Sequence, residues 1–109
     1  MKDQLKRILS HHQGRSSAIT RRELRRLLEL DIKEDRALRL TIAELRREGF
    51  PILFSTSSPA GYYLPETLAE LREGMDKLRS YIVDECIVLR NYKVLGSQYL
   101  AGEKQGVLI

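Results

Sequence analysis

The stretch TRRELRRLLELDIKEDRALRLTIAELRREGFPILFSTSSPAGYYL, residues 20–64, decides the fold. Thr20 and Glu23 have the Thr-x-x-Glu spacing of a capping box, in which each side chain accepts a hydrogen bond from the other's free backbone amide. A helix is therefore expected from Arg21, with Leu24, Leu27 and Leu28 facing inward. Leu38, Ile42 and Leu45 follow at i, i+4 and i+7, and Gly49 supplies a stop. That second pattern is expected to start at Asp31 or Lys33, the later start giving the more natural helix over 33–48, with Ile32 pointing inward from the turn. Residues 50–54 and 61–64 are short β-prone runs around a loop of turn residues and read as a hairpin. A lone hairpin is marginal, so it is expected to pack on the helices and to pair with Ala18 and Ile19. Helix, turn, helix, hairpin is a scaffold that can lay one helix in a DNA groove while the hairpin touches the adjacent backbone.

Outward from this block, Leu5, Ile8 and Leu9 give a short first helix over 2–12 that stops at Gln13 and Gly14. On the other side Pro65 ends the sheet and Glu66 opens another helix. Leu68, Met75, Ile82 and Leu89 are spaced by seven, with Leu71, Leu78 and Tyr92 between them and Glu85 as the one lapse. This is an a/d heptad seam. At about 1.5 Å per residue a helix over 67–93 is about 40 Å long, more than a body of about 65 residues can cover. The seam therefore wants a partner helix, and a second copy is the simplest one. Arg72 and Arg79 fall at e, while Thr67, Gly74, Tyr81 and Val88 fall at g, so charge pairs between e and g do not choose the partner. From Tyr81 to Leu89 the chain is apolar on nearly every face, with Val83, Cys86 and Ile87 added. It reads as the centre of a helix bundle, with a strand as the alternative by propensity. Beyond Gly96 there is no pattern, and the tail is expected to be mobile or tucked against a partner. The expected organisation is a helix–hairpin domain over 1–65, an oligomerisation helix over 66–95 and a tail over 96–109, mainly α with a small β-hairpin.

The 109 residues suit one domain plus an appendage. Residues 1–50 hold 13 Lys/Arg against 8 Asp/Glu, while residues 51–109 hold 6 against 7, so the basicity belongs to the N-terminal half. A basic half points to a polyanionic partner, since phosphate neutralisation drives most non-specific DNA binding; well-solvated helices are the plainer alternative. The single cysteine excludes an intramolecular disulfide. The start lacks a signal peptide's apolar core, and no run approaches the roughly 18 apolar residues of a membrane span. A cytoplasmic protein with no membrane contact is expected.

The face of the third helix opposite its apolar stripe carries Lys33, Arg36, Leu40, Ala43 and Arg47, with Arg39 at its edge. Arg36 and Arg39 lie where a recognition helix reaches base edges, and arginine pairs bidentately with guanine; Leu40 and Ala43 suit a thymine methyl. Glu34 and Asp35 in the first turn suit the helix dipole but repel phosphate, and Leu40 equally suits protein docking. Arg21 with Arg25, and Arg22 with Arg26, line stripes of the second helix suited to phosphate contact. The alternative pairs Arg22 or Arg26 with Glu29 or Glu23. Ser57 and Ser58 at the hairpin tip can donate to phosphate, although the tip has no Lys or Arg. His11 and His12 lack metal-ligand spacing and are expected to be solvent-exposed. Cys86, between Glu85 and Ile87, is expected to be a buried or interface thiol. No nucleotide-loop, nucleophile-elbow or zinc-protease motif is present, so no catalytic residue, metal or cofactor is assigned.

Residues 20–64 resemble the winged helix-turn-helix modules of small bacterial and phage DNA-binding proteins. The resemblance is carried by TRRELRRLLEL, by LRLTIAELRREGFPI running into a strand, and by the returning GYYL. In that family a run like Leu45 to Ile52 marks the exit of the recognition helix into the wing, and many phage-type relatives append a C-terminal dimerisation helix, here Glu66 onward. The resemblance implies a homodimer that binds duplex DNA sequence-specifically as a transcriptional or phage-type regulator, with Leu68, Leu71, Met75, Leu78, Ile82, Leu89 and Tyr92 at the dimer seam. Some winged-helix domains bind proteins instead, which makes a protein-interaction or assembly module the rival reading.

Overall fold

A computed structural model describes residues 1–104; residues 105–109 of the expected tail lie outside the described residues. The chain is mainly helical with one small antiparallel hairpin. By its contacts it divides into a body, Met1–Glu73, and a segment from Gly74 onward.

In the body, α1 spans Lys2–Leu9 and buries Leu5 and Leu9. Helix α2 spans Arg21–Leu27, and its Thr20 cap accepts from the Glu23 amide at 3.1 Å, one half of the expected box, while the Glu23 carboxylate accepts from Arg26 instead. Leu24 is fully buried and Leu28 packs at the core's edge. Leu27 corrects the sequence expectation: it is 42% exposed. The reason is that α2 ends early, turning at Glu29 in a left-handed conformation (φ 56°). There the Leu30 amide donates to the Arg25 carbonyl at 2.8 Å, closing the helix end as a Schellman-type turn.

Asp31 and the later start both prove relevant, because the two act in sequence. Asp31 caps a 3₁₀ turn over Ile32–Glu34 by accepting from the Lys33 amide, and α3 then runs over Asp35–Arg47. Ile32 does not point inward. It is 77% exposed, since the tight turn rotates it away from the core that Leu38, Ile42 and Leu45 fill from α3. The exit from α3 follows the glycine rule: Gly49 has φ 96°, and the Phe50 amide donates back to the Leu45 carbonyl at 3.0 Å.

Strands β1 (Leu53–Ser55) and β2 (Gly61–Tyr63) pair antiparallel with Phe54 opposite Tyr62. Those two rings meet edge-on at 5.1 Å. The first strand is shorter than expected because Pro51 has no amide to donate and the Ile52 amide turns back to the Phe50 carbonyl. Ile19 pairs with Tyr62 through two backbone hydrogen bonds of 2.8 and 2.7 Å, and Gln13 bridges Leu64 in parallel. The hairpin is thereby tied to the chain both at Ile19, two residues before α2, and at Gln13, after α1. Gly61 makes the first of these ties possible, because a Cβ there would lie 2.2 Å from the Ile19 carbonyl oxygen.

The core joins Leu5, Leu9, Ile19, Leu24, Leu38, Ile42, Leu45, Ile52 and Leu64. Burying a leucine of this kind contributes about 1.5–3 kcal/mol, so the three helices and the hairpin hold one another through a shared set of side chains.

Helix α4 spans Leu68–Asn91 and so takes in the 81–89 stretch as helix. It starts two residues later than Glu66, at a second capping box the sequence reading passed over: the Glu70 amide donates to Thr67 Oγ1 at 3.2 Å and Glu70 Oε1 accepts from the Glu66 amide at 2.8 Å. The regular helix ends at Asn91, short of the expected 95, and a π turn over Tyr92–Gly96 takes in the last seam residue; helix α5, Ser97–Lys104, follows in the tail where no pattern is legible. Among the described residues no helix is long and apolar enough to cross a membrane.

Candidate nucleic-acid interface

Asp35 organises the basic side chains around the start of α3. Its carboxylate receives Arg21 Nε at 2.8 Å and Arg25 Nη1 on one oxygen and Arg39 Nε at 3.3 Å on the other. Partial burial on its own would raise the Asp35 pKa, but hydrogen bonds from Arg25 and Arg21, with their charges, outweigh it and hold the carboxyl below the ordinary aspartate value. Arg21 also lies against the Tyr62 hydroxyl, so one guanidinium links α2, α3 and β2.

This reassigns part of the expected phosphate stripe. Arg25 is only 17% exposed and spans from α2 to α3, which makes it a tie within the body rather than a free phosphate ligand. Arg26 is held by Glu23 three residues back in the same helix. Arg22 is exposed and has no ion pair among the described residues, and Arg21 keeps part of its surface open. Asp35, expected to repel phosphate, instead has its charge answered by three arginines, whereas Glu34 stays exposed.

Along α3, Arg36, Leu40 and Arg47 are exposed and Ala43 is half-buried, all on the side opposite Leu38, Ile42 and Leu45. Arg36 and Arg47 make no hydrogen bond or ion pair among the described residues. Glu44, which borders the stripe beside Leu40 and Arg47, and Glu48, the residue after α3, both bind Lys2 Nζ, at 2.8 and 2.7 Å, pinning α1 to α3. Hydrogen bonding to these carboxylates raises the Lys2 pKa, and its ammonium lowers that of Glu48. Lys33 sits in the 3₁₀ turn before α3, exposed, rather than on the helix itself. The result is a stripe with free cations at both ends and the apolar Leu40, 59% exposed, between them.

The hairpin tip gains a cation that no local pattern announced. Arg15, from the linker, places Nη2 3.3 Å from Ser57 Oγ and Nη1 3.7 Å from Glu73. Its backbone amide donates to Glu70 at 3.0 Å. Ser58 is exposed beside it. Glu70 thus accepts from Glu66, Arg15 and Thr67 amides, hydrogen bonds that hold its pKa down. Tyr63, packed near Glu70 and Glu73, has its pKa pushed up, first by burial and then by those carboxylates.

His12 is half-buried, contrary to expectation, with Nδ1 2.8 Å from the Ser17 carbonyl oxygen, to which it donates. His11 is exposed. No group of three or more His, Cys, Asp or Glu side chains is placed to hold a metal among the described residues. Cys86 is exposed rather than buried within the chain. The seam residues are accessible too: Leu68, Met75, Leu78, Ile82, Leu89 and Tyr92 range from 41% to 70% exposed, and only Leu71 is half-buried.

The Asp35 cluster makes a pH-dependent prediction. The depressed pKa means its stabilising contribution is complete above the unfolded aspartate value, about 3.9, and is lost as pH falls through the lower folded value. Asp35→Asn is expected to lower the urea midpoint at pH 7, with the deficit relative to the parent shrinking steadily as pH falls below about 4. A deficit independent of pH would show that the carboxylate charge does not matter to the fold. No protein-family model, curated protein or solved structure matches this chain.

Proposed function

We propose that the chain binds duplex DNA through α3, as a homodimer joined by α4, and acts in the cytoplasm as a transcriptional or phage-type regulator. The observation that carries this reading is the α3 stripe: Arg36 and Arg47 stand exposed and unpaired among the described residues, while the acids of the same helix are drawn to Lys2 or to the Asp35 cluster. Arg36 reads base edges from the first half of the helix, and Arg39, paired to Asp35 at 3.3 Å but 56% exposed, stands at the edge of the same face. Leu40 and Ala43 meet a thymine methyl, and Arg47 reaches the backbone farther along. Arg21, Arg22 and Arg15 supply phosphate contacts at the flanks, with Ser57 and Ser58 donating at the hairpin tip. Fluorescence anisotropy on labelled duplexes is expected to show binding that weakens steeply with salt, as counterion release requires. Absence of salt-sensitive binding at low ionic strength would end this assignment.

A second reading has its own support. Ile32, in the turn before α3, and Leu40, on α3, are both well exposed, and exposed apolar side chains of this kind suit docking of another protein. It predicts weak, sequence-indifferent DNA binding and the loss of a protein complex on Leu40→Ser.

A further inference from the structure

We propose that α4 docks against α4 of a second copy of this chain in antiparallel orientation, centred on residue 80. This rests on the dimer in the function proposed above and adds its geometry. No α4 side chain is fully buried within the chain, and of its apolar seam residues all but the half-buried Leu71 are exposed. In an antiparallel pair each a position faces a d position of the other helix. One register sets the seam positions against each other: Leu71 faces Leu89, Met75 faces Glu85 and Leu78 faces Ile82 of the second copy, and Leu68 meets Tyr92, the first residue after α4. Shifting it by a heptad either way leaves seam residues uncovered.

Glu85 chooses between the two orientations. In a parallel pair it meets Glu85 of the second copy in the same layer, walled by Tyr81, Val88 and Cys86, with no cation at hand. Two adjacent carboxylates removed from water are strongly unfavourable. In the antiparallel register the two Glu85 residues lie ten residues apart in level, about 15 Å at 1.5 Å per residue, beyond the roughly 8 Å Debye length at physiological salt. Each faces the flexible Met75, and the flanking g position beside that methionine is Gly74. The missing side chain opens a notch through which the carboxylate keeps its water. A glycine inside a helix costs about 1 kcal/mol against alanine, and this register gives it a purpose: the seam's one charged lapse lies next to the flank's one absent side chain. The cost of the arrangement is that Arg79 approaches Arg79 of the second copy at an e position. That pair stays in solvent, where like charges interact weakly, and each Arg79 has Asp76 3.4 Å away in its own helix.

Spin labels read the orientation directly. Placed on Arg79→Cys/Cys86→Ser, they lie within three residues' rise of each other along the axis; placed on Arg90→Cys/Cys86→Ser, they are about 30 Å apart along it. Pulsed electron–electron resonance is expected to give a short distance at 79 and a long one at 90. Equal distances at the two sites, with sedimentation still showing a dimer, would overturn the antiparallel register and leave the dimer standing. A monomer at tens of micromolar would overturn both.

Discussion

Gly61→Ala is expected to lower the unfolding free energy by about 3 kcal/mol or more, the sum of a strained backbone and two lost sheet hydrogen bonds. The residue has φ 134°, and an added Cβ would sit 2.2 Å from the Ile19 carbonyl oxygen and 2.8 Å from the Thr20 amide nitrogen. These are backbone atoms that cannot swing aside, so the Ile19–Tyr62 pairing must open. That pairing holds the hairpin beside the N-terminus of α2, and Arg21, which begins α2, lies between Tyr62 and Asp35. Against a typical net stability of about 5–10 kcal/mol, such a loss leaves little margin. Gly49→Ala is the comparison. Its φ is 96° but no atom lies within 4 Å of the added Cβ, so only backbone strain of about 1–2 kcal/mol is expected. Urea denaturation of the two variants separates strain from collision. Equal losses would show that the close approach to Ile19 contributes nothing.

Arg36→Ala is expected to weaken binding to a preferred duplex by about 1–3 kcal/mol, roughly 5- to 150-fold, and to relax discrimination at one base pair. Its stability should be unchanged, because Arg36 is exposed and makes no ion pair among the described residues. Arg22→Ala should instead weaken binding to all duplexes alike and reduce the salt dependence by about one phosphate contact. Random-site selection followed by anisotropy titration on parent and variants measures both quantities. If Arg36→Ala leaves the affinity for the selected sequence intact, α3 does not read bases.

The contrast between these arginines shows how far a sequence reading reaches. Periodicity identified α3 and its exposed face correctly, because Leu38, Ile42 and Leu45 can share one side of a helix only if Arg36, Leu40 and Arg47 take the other. It could not separate Arg22 from Arg25. Both lie on α2 at spacings suited to phosphate, yet Arg25 is committed to Asp35, ten residues on and in the next helix. Which arginine is spent on the fold depends on where the turn at Glu29 aims α3. Asp35 was misjudged for the same reason: in the linear chain it is one more negative charge near a phosphate surface, and in the fold it gathers three guanidiniums. Arg15 was missed because its meeting with Ser57 joins residues 42 apart. The Thr67-x-x-Glu70 spacing encodes the start of α4 locally, two residues after the start that Pro65 and Glu66 suggest.

Local, repeating chemistry was open to reading from the chain alone: the helix starts at Thr20 and Thr67, the glycine stop at Gly49, the hairpin and the helical course of α4, each set by contacts within a few residues or by a regular period. The tertiary structure alone decided the exposure of Ile32 and Leu27, the tie of Ile19 to Tyr62 through the space left at Gly61, and the partition of arginines between the Asp35 cluster and the open face. Those outcomes turn on the angle and distance between elements. A side chain's partner across the body is fixed by how the shared leucine core seats the helices, and no spacing within a single segment encodes that.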